Sequence, residues 1–232
     1  MPAPALSLLL SKAFILAQMT VCPLPDFVPK ADVFFKPVKP LYVSGAPSVA
    51  LGKAMRGNPD ATHVNAENSK WRVAGMTEAS VGGGNYKVSW LARADQQGNT
   101  CLYVDTVTFE LAYKPNIYIA EEVSSLPCLS HVTRLHEQRH VAADLKLIKE
   151  YIPKIKMEIL WYLRGLGAQG PYPQQEAKKN ADRIVQEVMA AVKPMVERLA
   201  ETRRQRQGDI DTVENYKYEN SLCPGERPVF KK

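Results

Sequence analysis

The chain has 232 residues, 45% hydrophobic and 23% charged, the balance of a folded protein with room for one full domain or a domain plus a helical appendage. The net charge is +6, but bases and acids are interleaved along the chain, which argues against a nucleic-acid binder and for a solvated basic surface. Four scattered cysteines, Cys22, Cys101, Cys128 and Cys223, make no CxxC and no Cys/His pair at ligand spacing, which sets aside a cysteine-built metal site.

Residues 5–21 are mostly apolar but broken by Lys12. With Lys12 as the charged region and Ala13 to Val21 as a short apolar core, residues 1–21 read as a secretory signal, so a secreted or periplasmic protein is expected. Val21 is a poor match to the small residue that precedes a lipoprotein cysteine. No later stretch is long and apolar enough to span a membrane, so no stable span is expected in the mature protein. Export would favour disulfides among the even set of cysteines. Three connectivities are possible; Cys101–Cys128 would close a loop over a sheet and hold a helix in place.

Residues 22–60 hold seven of the 17 prolines, which forbids a long helix and predicts an extended segment before a domain over 61–232. From Lys70 to about Ala120 the pattern is strand-like. Tyr86, Val88 and Trp90 alternate with Lys87, Ser89 and Leu91, after Gly82-Gly83-Gly84, read as a turn. Cys101, Tyr103, Asp105, Val107, Phe109 and Leu111 share one strand face, opposite Thr106, Thr108 and Glu110.

The period changes at Ser130. Val141, Leu145, Ile148, Ile152, Ile155 and Ile159 recur at helical steps, and Pro153 is expected to kink or split that helix. Residues 164–173 read as a loop. A second helix follows over 174–207, with Ala177, Ala181, Ile184, Val188, Val192, Met195 and Leu199 on one side, Pro194 bending it and Gly208 capping it. The expected fold is α+β: a small antiparallel sheet packed with two long helices that form a hairpin.

His136-Glu137-Gln138-Arg139-His140 lies at the start of the first helix. Residues four apart on a helix share a face, so both imidazoles can reach one zinc ion, one per chain. Glu137 lies 100° around, placed to reach a water on the metal without binding it. Such a water has a lowered pKa, and Glu137 as general base can take its proton as it attacks a peptide carbonyl. Only four histidines are present, so chance assembly of this pattern is rare. His63 reads as surface, and His131 as a cap or core residue.

The third ligand is open. Asp144 continues the row but sits about 6 Å beyond His140 along a straight helix. Glu158 lies on the seam side, beyond Pro153. Asp209, Asp211 and Glu214 follow the second helix, where a hairpin would return the chain toward His136 and His140.

With these features the chain resembles a bacterial family of predicted secreted zinc-dependent proteases, over roughly residues 60–216. The shared features are the Trp-bearing strand from Lys87 to Leu91, Cys101 opening a strand, the HExxH helix, a later helix, and a tail of the form Q-x-x-Y-D-x-x-T-x-H-G. Gln205, Asp209 and Thr212 match that tail, while Gly208, Glu214 and Asn215 replace its Tyr, His and Gly; Arg139 stands where the family has Gly. The resemblance implies a zincin-like fold, zinc as cofactor, a peptide or protein substrate, and Glu214 as a carboxylate substitute for the tail histidine. Tyr216 and Tyr218 read as packing aromatics or as donors of an oxyanion hydroxyl. The competing reading is a non-catalytic exported protein that binds a metal or an envelope partner.

Overall fold

The computed structural model describes residues 21–57 and 73–229. The signal-like residues 1–20 and His63 lie outside the described residues. In chain order the elements are β1 (Lys30–Phe35), β2 (Leu41–Ala46), α1 (Ser48–Gly57), β3 (Gly75–Ala94), β4 (Asn99–Ala120), α2 (Glu121–Ser124), α3 (Pro127–Leu166), β5 (Gln169–Pro173), α4 (Gln174–Ile210) and α5 (Val213–Ser221).

β3 and β4 form a long antiparallel hairpin that turns at Asp95–Gly98, where Asp95 Oδ1 accepts from the backbone N–H groups of Gln97 and Asn99. β3 pairs with β4 from Thr100 to Ile119 and so takes up one edge of that strand. β5, β1 and β2 therefore line up along the other edge: β5 at Asn99–Leu102, β1 at Thr106–Leu111, β2 at Asn116–Ala120. β5 is antiparallel to β4, but β1 and β2 are parallel to it. The sheet is mixed, which corrects the expected antiparallel one. Alternation along a strand reports which face is buried, not which distant segment pairs with it or in which sense.

The expected single face of β4 is split: Val107, Phe109 and Leu111 join Leu102 and Val104 in the main core, while Cys101 and Tyr103 pack with Cys22 in a separate cluster, because the register with β3 shifts where Asp105 is skipped. The glycine triplet is not a turn. It lies within β3, where the register shifts between Gly83 and Tyr86. A Cβ on Gly84 would stand 2.8 Å from the Glu110 carbonyl oxygen, so the strands approach there as only glycine allows. In the Pro-rich segment, Pro29, Pro37, Pro40 and Pro47 fall between short elements, and the Pro47 carbonyl accepts the first N–H groups of α1.

Both long helices continue through Pro153 and Pro194 as single elements, so α3 is not split at Pro153. Buried Leu147, Ile148, Ile155, Ile159 and Leu163 of α3 join Ile184, Val188, Val192 and Leu199 of α4 and the inner face of β4 in one core. Such burial outweighs the lost hydrogen bond, since each large aliphatic side chain contributes about 1.5–3 kcal/mol. α3 and α4 run in opposite senses: Tyr162 meets Glu187, Tyr151 meets Thr202, Asp144 meets Arg203 and His140 meets Gln207.

The disulfides are Cys22–Cys101 and Cys128–Cys223, not the expected Cys101–Cys128. Cys101 and Cys128 lie at opposite ends of β4 and α2, so each pairs with a partner distant in sequence. Two disulfides point to an oxidising, extracellular environment. The Cys22 sulfur is committed to Cys101 and is not free for lipid attachment. No helix among the described residues is long and apolar enough to cross a membrane.

Cys128–Cys223 straps the C-terminal segment onto the start of α3, where Glu226 accepts hydrogen bonds from the backbone N–H groups of Cys128 and Leu129 at 3.1 and 2.9 Å. Replacing both cysteines by serine is expected to cost about 4 kcal/mol in urea unfolding, because the bond spans 95 residues of sequence. A loss below about 1 kcal/mol would show that the strap does not constrain the unfolded chain.

Candidate metal centre

α3 presents His136, Glu137 and His140 on its inner side, all buried, with exposures of 3%, 4% and 6%. Opposite them α4 ends. The helix passes through Gly208, the predicted cap, and runs to Ile210, leaving Asp211 as C-cap with its N–H on the Gln207 carbonyl. Thr212 then caps α5, its hydroxyl accepting from the Asn215 N–H at 3.2 Å, and the Asn215 amide donates back to the Ile210 carbonyl at 2.9 Å. These paired caps fix the turn that aims Asp211 at the histidines.

Asp211 Oδ1 lies 3.0 Å from His136 Nε2 and 3.1 Å from His140 Nε2, and the two Nε2 atoms are 3.1 Å apart. Three donors about 2.0 Å from a tetrahedral ion would stand about 3.3 Å apart. The group therefore has the spacing, chemistry and burial of a set of three protein ligands. His136, His140 and Asp211 could hold a metal ion.

Each histidine is anchored through its other nitrogen. His136 Nδ1 meets the Glu219 carboxylate at 3.0 Å, and Glu219 also pairs with Arg139. His140 Nδ1 meets the Gln207 side-chain oxygen, while the Gln207 amide donates to the His140 carbonyl at 3.1 Å and to Asp144 Oδ1 at 2.6 Å. These contacts orient both rings with Nε2 toward Asp211, the arrangement found where a ligand's second nitrogen is held by a carboxylate or carbonyl. Tyr216 donates to Asp211 Oδ1 at 2.7 Å and stacks on the His136 ring at 5.0 Å. Burial raises the Tyr216 pKa, and the Asp211 charge adds to this, so the hydroxyl stays protonated and donates.

Glu137 points the other way, toward β3. Thr77 Oγ1 lies 2.8 Å from Glu137 Oε2 and 3.1 Å from the Glu137 carbonyl. Gly75 leaves the space for this carboxylate: a Cβ there would stand 2.7 Å from Oε1. Burial raises the Glu137 pKa, the two histidines and Thr77 pull it back, and Asp211 adds to the rise. For His140, burial opposes the charged form, but the hydrogen bond to Asp211 and the charges of Asp211 and Glu137 outweigh it, and the pKa is raised. A metal at this site would bind His140 in its neutral form and so displace a proton from it.

No family model matches this chain, and neither does any curated protein or solved structure.

The structure brings together His136, Glu137 and His140, and it adds Asp211 rather than Glu214. Glu214 is exposed on the first turn of α5, and Asp209 is exposed on the last turn of α4. Glu158 lies half-buried on α3, 18 residues past His140 and so about 27 Å along the helix. Asp144 is buried beside the site but is held by Arg203 Nε at 2.9 Å and by Gln207. His131 and Tyr218 are exposed, with neither the cap nor the core place expected of His131. Sequence reading missed Thr77, Gln207 and Glu219 as partners of the motif. The one available signal was helical pitch: Gln207 and Asp211 are four apart, a pair on one face at the returning end of α4.

Proposed function

We propose that the protein is a zinc-dependent peptidase with His136, His140 and Asp211 as ligands and Glu137 as general base. The observation that carries this reading is the convergence of three buried donor atoms, 3.0–3.1 Å apart, around an HExxH helix. One nitrogen pair and one carboxylate suit zinc, and three protein ligands leave the position that a catalytic ion needs. Bound zinc would supply a Lewis acid that polarises a carbonyl and lowers the pKa of water. The resemblance to the secreted zinc-dependent proteases supports the same chemistry, with Asp211 in place of the tail residue Glu214 as the carboxylate ligand.

The chain's own residues would act as follows. Glu137, its pKa raised by burial, accepts a proton from water as the water oxygen bonds to the peptide carbon. The same carboxyl returns that proton to the amide nitrogen as the C–N bond breaks. Thr77 would hold the Glu137 carboxyl through Oε2 while the proton passes. Tyr216, protonated and donating to Asp211, would steady the carboxylate ligand.

One observation favours a second reading, a metal-stabilised exported module without turnover. The ligands and Glu137 are nearly inaccessible, and α5 lies against them through Tyr216 and Glu219.

Glu137→Gln separates the two. The zinc-loaded protein is expected to cleave members of a random peptide library read by mass spectrometry. Glu137→Gln should hold equal zinc and lose about 10²–10⁴-fold in rate. Absence of any cleavage by the zinc-loaded protein, or equal rates in the variant, would remove the peptidase reading and leave the binding module.

A further inference from the structure

The outer face of α3 carries an exposed apolar and basic stripe that the metal centre does not use. At helical steps of three and four, Lys146, Lys149, Pro153, Lys156, Met157, Trp161 and Arg164 turn the same way. Trp161 is 74% exposed and Met157 60%, values that no packing role inside the domain explains. Lys154 flanks them, its ammonium 4.4 Å from the Tyr151 ring. None of the five cations, Lys146, Lys149, Lys154, Lys156 and Arg164, is in a salt bridge among the described residues. Of the two acids on this stretch, Glu150 is paired with Arg206, and Glu158 is half-buried.

We propose that this face is a docking surface for an anionic lipid bilayer. From Lys146 to Arg164 the stripe is about 27 Å long and follows a single helix, which suits a planar surface better than a groove or a bent strand. Trp and Met at its centre, ringed by flexible lysines, match an interfacial helix that seats its aromatic ring at headgroup level while the cations meet acidic headgroups. The disulfides argue for a compartment in which membrane is the abundant polyanion and nucleic acid is not.

The test is co-sedimentation of the full chain with vesicles of phosphatidylglycerol and phosphatidylcholine in equal parts, against vesicles of phosphatidylcholine alone. The full chain is expected to prefer the anionic vesicles, to lose that preference in high salt, and to shift its tryptophan emission to the blue on binding. Lys149→Glu with Lys156→Glu is expected to lower anionic-vesicle affinity by roughly 25-fold or more, since each basic residue near such a surface contributes about fivefold. Trp161→Ala should weaken binding and abolish the blue shift. Both variants change exposed residues, and unchanged zinc content and melting temperature would show that the fold is intact. Equal binding to both vesicle types, unchanged in the variants, would overturn the proposal and assign membrane affinity to residues 1–20. Failure to bind vesicles, or binding to an RNA homopolymer instead, would overturn it as well.

Discussion

Asp211→Ala is expected to lower zinc affinity by more than about 100-fold, while Glu214→Ala leaves it unchanged. The two residues are three apart, and both follow α4, yet only Asp211 reaches the histidines, with its Oδ1 3.0 and 3.1 Å from their Nε2 atoms. Removing an outer partner of a metal ligand typically costs about 10–100-fold in affinity, and a direct ligand should cost more. Gln207→Ala, which frees His140 Nδ1 and Asp144 but keeps all three ligands, should fall within that outer range. Competition against a chromophoric zinc chelator would rank the three variants. An undiminished affinity in Asp211→Ala, or a matching loss in Glu214→Ala, would mean that the tail supplies its ligand as the family resemblance implies and that α5 must rearrange to do so.

Arg203→Met is expected to destabilise the metal-free protein by about 3–5 kcal/mol. Asp144 and Arg203 are both buried, at 1% and 6% exposure, and Arg203 Nε donates to Asp144 Oδ1 at 2.9 Å. The methionine keeps the volume but leaves the carboxylate in the core with only the Gln207 amide on Oδ1; its Oδ2 has no hydrogen-bond partner. An uncompensated buried charge costs far more than the pair contributes when intact. Adding Asp144→Asn to Arg203→Met should therefore recover about half or more of the loss, an interaction that separate sites would not show. Urea unfolding of the wild type, the two single variants and the double variant closes this cycle. A single-variant loss below about 1 kcal/mol, or a double variant no better than Arg203→Met, would show that water reaches Asp144 and that the pair is not desolvated.

Much of the site was legible because its chemistry is local. His136, Glu137 and His140 need only the pitch of one helix to share a face, and that helix is announced by Val141, Ile148, Ile155 and Ile159 at regular steps. The third ligand depends on where a different helix stops. Gly208 looked like that stop, but α4 gains three more residues because Asp211 and Thr212 cap the turn and Tyr216 and Asn215 hold it. Those contacts join residues on either side of a turn, and no period in the chain marks them. The glycine triplet was misread for a related reason. A glycine permits a turn, but it also permits close approach between strands, and the Glu110 carbonyl on β4 decides between the two.

By itself, then, the sequence determined the two long helices and, on the first of them, two histidines one turn apart with a glutamate beside them. Each depends on side chains repeating at the pitch of a single element, which is a property of neighbours in the chain. Only the tertiary structure decided the parallel pairing of β1 and β2 with β4, the Cys22–Cys101 and Cys128–Cys223 bonds, and Asp211 as the carboxylate beside His136 and His140. These join residues from 71 to 95 positions apart. Their partners are chosen by which surfaces the packed core leaves facing one another, and no local pattern of residues encodes that choice.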